Sequence, residues 1–145
     1  MDRQIGTTLF AALLATLVLV GCAQSTAAPG VPVDDTAKNA DGYTDLTVEQ
    51  LVRMTETEDL TLVNTHIPFA GDLPGTDLSI RFDQLDQYLD RLPDKDAQIV
   101  LYCRSGGMST SAAKELATLG YTNVYELNGG MNAWKDAGHE LVGLQ

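Results

Sequence analysis

Positive charge is scarce in this sequence. Its 145 residues include nine lysines and arginines against twenty aspartates and glutamates, which gives a formal net charge of −11. A nucleic-acid-binding surface needs a concentrated basic face to meet the phosphate backbone, and the nine cations here are scattered singly. The composition therefore excludes a nucleic-acid partner. The acidic excess also disfavours binding to anionic lipid headgroups and is typical of a solubilising surface.

Residues that bind metals are also few. The two histidines and two cysteines are too far apart along the chain to form a recognisable metal motif. No cofactor motif and no internal repeat is present. We therefore expect neither a metal nor a cofactor. The sequence leaves the oligomeric state open.

The two cysteines, Cys22 and Cys103, have different expected fates. A disulfide between them would tie the N-terminal segment to the middle of the domain, which is an unusual place for a structural bridge. Cys103 is therefore expected to be a free thiol. It is either a reactive group or a buried, inert cysteine at the end of a strand.

A hydrophobic run of the length of an export signal occupies the N-terminus. Residues 5–20 are almost all apolar and follow Arg3, and the run is too short for a comfortable membrane span. It ends in LVGC at residues 19–22, which resembles the lipobox cleaved by the lipoprotein signal peptidase. The resemblance implies a new N-terminus at Cys22 with diacylglycerol on its sulfur. An uncleaved signal anchor, or a secretory peptide cut between residues 23 and 28, would also export the domain.

Three segments are expected along the chain. Residues 1–21 are the lipoprotein signal peptide, residues 22–41 a flexible tether rich in small residues and proline, and residues 42–145 the folded domain. Several acyl chains on one cysteine anchor a protein stably without a transmembrane helix. We therefore expect an exported protein that is held by the lipid on Cys22 to the cell membrane or the outer membrane, with its domain on the periplasmic or extracellular face.

Helical and strand patterns alternate in the domain. Thr47 and Gln50 fit a capping box, which predicts a helix directly behind them. Asp83 is the expected N-cap of a second, amphipathic helix that Pro93 ends. The predicted strands are residues 60–64, 98–102 and 123–127. The predicted later helices are residues 82–92, 109–119 and 131–137. This alternation indicates an α/β fold, with a parallel sheet covered by helices on both faces.

Cys103 falls where such folds bind ligands, at the C-terminal end of a buried strand. The loop behind it contains two adjacent glycines, so that its N–H groups can curl around an anion, and the next helix adds its positive end. This arrangement favours the thiolate of Cys103 and predicts a nucleophile. It also predicts that the loop holds an oxyanion or a persulfide. The candidate substrate-binding residues are Arg104, Ser105, Gly106, Gly107, Met108 and Ser109.

At these residues the chain resembles the rhodanese family. VLYCRSG at residues 100–106 is similar to the family's active-site strand and loop, and residues 124–138, with LNGG and Trp134, are similar to its C-terminal signature. The resemblance implies a sheet of about five parallel strands. It also implies that Cys103 takes a sulfane sulfur from a small donor anion or a persulfide, and passes it to a thiol or another thiophilic acceptor. Trp134 is then expected to pack the last helix onto the core, and Arg104 to contribute at the rim.

Two charged positions of the family pattern are missing. The strand that commonly ends in Asp-x-Arg ends here in Asn64-Thr65-His66, and Met108 stands where arginine is frequent. A persulfide, polysulfide or protein thiol is therefore a more plausible donor than dianionic thiosulfate. His66 is a possible accessory residue, as a switchable cation near the pocket, or else an idle loop histidine. His139 is expected to have no role.

Two other functions fit part of the pattern. A cysteine phosphatase or arsenate reductase also holds a thiolate in an anion-binding loop, but that loop ends in an arginine, where this chain has Ser109. A sulfur-carrying or binding module would form a stable persulfide on Cys103 without multiple turnover.

Overall fold

A parallel β-sheet organises residues 37–144, the part of the chain that this computed structural model describes. Its five strands are hydrogen-bonded in the order β1-β5-β4-β2-β3 and every pair is parallel, which confirms the predicted fold class. In chain order the strands are β1 Thr44–Leu46, β2 Thr61–Asn64, β3 Leu78–Ser79, β4 Ile99–Tyr102 and β5 Val124–Leu127. The predicted signal peptide and most of the predicted tether lie outside the described residues.

Three α-helices cover the sheet, and the first begins at the predicted capping box. Thr47 N–H donates to Gln50 Oε1 at 2.7 Å, and Gln50 N–H donates to Thr47 Oγ1 at 3.3 Å. These bonds satisfy two backbone donors that would otherwise lack partners at the helix start. The helices are α1 Val48–Thr57, α2 Gly107–Thr118 and α3 Gly130–Asp136. None of the helices in the described part of the chain is long and apolar enough to cross a membrane.

The central strand β4 is buried on both faces because a hydrophobic layer packs on each. Side chains alternate across a strand, so Ile99 and Leu101 enter the layer beneath α2, whereas Val100 and Tyr102 enter the layer beneath α1 and α3. By the same alternation the next residue, Cys103, falls on the α2 face. The continuous apolar run of this strand follows from burial on both sides.

The predicted amphipathic helix over residues 82–92 is wrong. The chain forms two short 3₁₀ turns instead, Leu85–Gln87 and Leu89–Arg91, which are separated by Tyr88 at φ −127°. Asp83 does not cap a helix, because its carboxylate forms a bidentate pair with Arg81. A spacing of three residues brings apolar side chains inward on a 3₁₀ turn as well as on an α-helix, so the periodicity did not distinguish the two.

The strands β1 and β3 were not predicted from the sequence. They contain three and two residues, which is too short for an alternating pattern to emerge. Both are edge strands that extend the sheet on either side of the three strands predicted from apolar runs. The sheet therefore reaches the width that the resemblance implied.

Candidate active site

Cys103 lies directly behind β4, at the C-terminal edge of the sheet, and is a free thiol with 2% of its surface exposed. The chain then turns sharply at Gly106, where φ is +99°, a conformation that favours glycine. Helix α2 begins at Gly107, two residues earlier than predicted, so Ser109 belongs to its first turn. This turn brings backbone N–H groups and the Ser109 hydroxyl back toward the sulfur.

The Cys103 sulfur accepts hydrogen bonds from two groups of this loop. Gly106 N–H donates to Sγ at 3.1 Å and Ser109 Oγ donates at 3.3 Å. Burial acts to raise the pKa of Cys103, but the Ser109 hydroxyl and the backbone N–H groups of Ser109, Ser105 and Gly106 outweigh it and lower the pKa below its ordinary value. The local geometry therefore favours the thiolate, as the sequence predicted.

The N-terminus of α3 holds the other side of the loop. Met131 N–H donates to the carbonyl oxygen of Cys103 at 2.9 Å, and Asn132 N–H donates to that of Arg104 at 3.0 Å. A side chain at Gly130 would overlap the Cys103 carbonyl, because the two backbones are in close contact here. Gly130, the first residue of α3, therefore has a structural function, because only a residue without a side chain lets the helix start support the cysteine loop.

Trp134 packs α3 onto the core, as expected. Its side chain is buried in the layer that also contains Met131, and Nε1–H donates to the Glu140 carbonyl oxygen at 3.0 Å. His139, to which the sequence assigned no role, stacks on the Trp134 ring with the centroids 4.3 Å apart. These contacts are structural and lie outside the Cys103 loop.

Glu126 is the residue that the sequence analysis missed. It lies on β5 with 2% of its surface exposed, and its Oε1 accepts a hydrogen bond of 2.6 Å from Ser109 Oγ. Burial raises the pKa of Glu126 to about 7, with the Ser109 bond acting against the rise and Asp45 adding to it. The available signal was the strand alternation, which puts Glu126 on the same face as Val124, under α2.

The remaining predicted loop residues differ in exposure. Arg104, Ser105 and Gly107 are exposed, and Met108 is half-buried. Ser105 acts on the sulfur through its backbone N–H. Of the six predicted substrate-binding residues, the structure brings Gly106 and Ser109 into direct contact with Sγ.

His66 follows β2, the strand next to β4. Burial lowers the pKa of His66, and the charge of Arg104 lowers it further. Its Nδ1 is buried without a hydrogen-bond partner. These effects favour the neutral imidazole, and the accessory role of His66 stays a prediction.

The sequence profile of the rhodanese-like domain matches residues 47–137. The chain belongs to the rhodanese-like family. Thiosulfate sulfurtransferase GlpE of Shewanella oneidensis is 34% identical over 101 residues, which cover 63% of this chain and 92% of that protein. The adenylyltransferase and sulfurtransferase UBA4 of Candida albicans is 38% identical over 72 residues, which are 50% of this chain but 16% of that much longer protein.

Solved structures of the rhodanese-like family share the fold. A rhodanese-related protein from Thermoplasma volcanium superposes with a TM-score of 0.60 at 22% identity, and the match covers 69% of this chain and 98% of that one. The names of the relatives in sequence support sulfur transfer at the level of the rhodanese-like family.

Proposed function

We propose that this protein is a sulfurtransferase in which Cys103 carries the transferred sulfur as a persulfide. The observation that supports this most directly is the convergence of the Gly106 N–H and the Ser109 hydroxyl on Sγ. These donors stabilise negative charge on a sulfur atom through their oriented dipoles. A persulfide carries its negative charge on the outer sulfur, one atom further from the backbone. We propose that the N–H groups of the same loop stabilise the charge there as well.

The reaction consists of two displacements at sulfur. The Cys103 thiolate attacks the sulfane sulfur of the donor, a new S–S bond forms, and the old bond breaks with its electron pair leaving on the donor remnant, for example sulfite. An acceptor thiolate or cyanide then attacks the outer sulfur, and Cys103 leaves as the thiolate. Each step moves one sulfur atom and needs no oxidant or cofactor.

Charge around the loop favours a donor of low negative charge. Arg104 is the one cation among residues 103–109, and Met108 is neutral. The loop therefore offers little positive potential to a dianion such as thiosulfate. A persulfide or polysulfide monoanion needs less positive potential in order to bind. We propose a persulfide or polysulfide as the preferred donor and a thiol as the acceptor.

Intact-mass measurement of the full chain tests this function. The chain is incubated with thiosulfate and separately with polysulfide, and each product is then treated with cyanide. We expect a gain of one sulfur atom, larger with polysulfide, that cyanide removes and that is absent in Cys103→Ser. No adduct with either donor would contradict the proposal.

The same samples separate an enzyme from a sulfur-carrying module. The burial of Cys103, at 2% exposure, favours the module because a large acceptor would have little access to the sulfur. A module would take up one sulfur atom and form thiocyanate once per chain. An enzyme would form thiocyanate continuously while donor and cyanide are present, and this is the outcome we expect.

We further propose that the domain is exported and anchored through lipid on Cys22. The support is the apolar run at residues 5–20 followed by LVGC. Bacteria that express the full chain and are fed labelled palmitate should incorporate the label into the protein, and Cys22→Ser should abolish it. Equal labelling of the two chains, or none in either, would contradict the anchor.

A further inference from the structure

The Ser109 hydroxyl has one hydrogen and three acceptors within reach. The Glu126 carboxylate lies at 2.6 Å, the Gly106 carbonyl oxygen at 3.0 Å and the Cys103 sulfur at 3.3 Å. The Gly106 carbonyl already accepts from Thr110 N–H at 2.8 Å. The hydrogen is therefore contested by two groups that both titrate, the sulfur and the carboxylate.

Which group receives the hydrogen depends on where the protons are. When Glu126 is protonated, its O–H donates to Ser109 Oγ, and the Ser109 hydrogen is free to point at a Cys103 thiolate. When Glu126 is ionised, the Ser109 hydrogen turns to the carboxylate, because a hydrogen bond to a buried charge is the stronger one. A thiolate formed then would lose the Ser109 hydroxyl as a donor and keep the backbone N–H groups of the loop.

The surroundings of Glu126 reinforce this dependence. The carboxyl lies beside the cysteine loop, since a Cβ built on Gly106 would be 3.6 Å from Glu126 Oε1. Asp45, its neighbour on β1, acts on it with a charge of the same sign, and no lysine or arginine among residues 37–144 contributes to its pKa. On the β2 side of Cys103 the ionisable group is His66, whose pKa burial and Arg104 lower. Two buried negative charges at Cys103 and Glu126 would therefore lack a compensating cation in contact.

We propose that Cys103, Ser109 and Glu126 form a proton relay, in which Glu126 is a positioning residue that holds the proton of the Cys103 thiol while the thiolate reacts. The inference rests on the proposed function, since it specifies where the proton of the nucleophile in that reaction is held. Glu126 touches Ser109 and not the reacting sulfur, so it acts through the serine.

Protons and charge balance within the three residues. The Cys103 S–H and the Ser109 O–H bonds break, and new O–H bonds form at Ser109 and at Glu126. A thiol and a carboxylate thereby become a thiolate and a carboxylic acid, and the total charge is unchanged. No base from solvent is needed at a sulfur that is 2% exposed. The raised pKa of Glu126, about 7, means that the carboxyl can hold a proton at neutral pH.

The rate of Cys103 alkylation by iodoacetamide, measured against pH, tests the relay. Iodoacetamide is uncharged and reacts with the thiolate, and the full chain can be used because trypsin releases Cys103 in a peptide of its own, residues 96–104. In Glu126→Gln the amide can still donate to Ser109 but carries no charge and does not titrate. We expect the alkylation profile of Glu126→Gln to rise in one step, with its midpoint about one pH unit below that of the broader native profile. Superposed profiles would overturn the relay.

The Ser109 variants show whether the coupling passes through the hydroxyl. In a Ser109→Ala background, Glu126→Gln should shift the midpoint by clearly less than it does in the native chain. Ser109→Thr, which retains the hydroxyl, should restore the native difference. An equal shift in the alanine background would mean that Glu126 acts through space, and would remove Ser109 from the relay.

A second measurement avoids any change at Glu126. Coupling is reciprocal, so Cys103 must influence the titration of Glu126 as much as Glu126 influences Cys103. The infrared carboxyl band of Glu126, identified by its absence in Glu126→Gln, should disappear at lower pH in Cys103→Ala than in the native chain. Identical titrations would overturn the relay. Neither readout requires sulfur transfer, so a chain that forms no persulfide can still support or contradict it.

Discussion

Two neighbouring strands of the sheet end at the same edge and end differently. Behind β4, the backbone N–H of Gly106 and the Ser109 hydroxyl point at the Cys103 sulfur. Behind β2, the Asn64 side chain binds its own loop: Oδ1 accepts from His66 N–H at 2.9 Å, and Nδ2 donates to the Gly71 carbonyl oxygen at 3.1 Å. The end of β4 therefore directs hydrogen-bond donors at a site for negative charge, whereas the side chain at the end of β2 bonds to the backbone of its own loop.

The difference shows how this chain stabilises an anion with little positive charge. At the end of β2, Asn64 and the residues that follow it supply structural hydrogen bonds and a histidine of lowered pKa. Stabilisation of the anion is then left to oriented dipoles at the other strand end, which act without a counter-ion.

The largest effect is expected where α3 supports the cysteine loop. Gly130→Ala introduces a Cβ that overlaps the Cys103 carbonyl, so the loop or the helix must move. We expect a loss of more than about 3 kcal/mol in the free energy of unfolding. Urea titration measures it. The matched control is Gly138→Ala, a glycine of φ +88° with open space around it, for which we expect about 1 kcal/mol. Equal losses of unfolding free energy in the two variants would contradict a close contact between Gly130 and the Cys103 carbonyl.

The next effect separates the β2 end from the site. Asn64 is 2% exposed, and Asn64→Ala removes the hydrogen bonds that its side chain forms with the loop, including the one to Asp72 Oδ1 at 2.8 Å. The groups that bonded to the Asn64 side chain then lose this partner. We expect a destabilisation of about 2 kcal/mol. The pH profile of Cys103 alkylation should remain that of the native chain. A changed profile would show that the two strand ends are not independent.

A third prediction concerns stability against pH. The pKa of Glu126 is raised from 4.5 to about 7 in the folded chain, so the folded chain binds this proton more tightly than the unfolded chain. The resulting stabilisation is complete below about pH 4.5 and is lost as the pH rises through about 7. Relative to Glu126→Gln, the native chain should therefore lose about 3 kcal/mol between pH 4.5 and pH 8, since each unit of pKa is worth about 1.4 kcal/mol. Urea titrations across this range measure it, and parallel curves would contradict the raised pKa.

The smallest effect compares the charged residues of the two strand ends. Arg104→Ala should slow sulfur uptake from thiosulfate about threefold at low salt, with the difference fading at high salt, because an exposed arginine steers anions at long range. His66→Ala should change the rate less, because burial and the charge of Arg104 lower the pKa of the imidazole and so favour its neutral form. Single-turnover mass measurement at two salt concentrations tests both. A larger effect from His66 would assign it a direct role.

The sequence predicts those parts of this fold in which a residue pattern is compatible with a single local structure. The apolar strand before Cys103 and the capping box at Thr47 were both predicted, because burial on two faces and helix starts each leave a distinct signature. Residues 82–92 were assigned to a helix because three-residue spacing fits two kinds of turn. Glu126 was missed because its role depends on Ser109, which is distant in sequence and meets it only once the strands align.

The pKa of the Cys103 thiol is the measurement that tests the central claim most directly. The thiolate absorbs in the ultraviolet, and subtracting the Cys103→Ser spectrum at each pH isolates its titration in the full chain. We expect a midpoint for the folded chain that lies below the midpoint of the same chain in urea. A folded midpoint equal to or above the unfolded one would mean that burial dominates, and that the loop does not prepare Cys103 as a nucleophile.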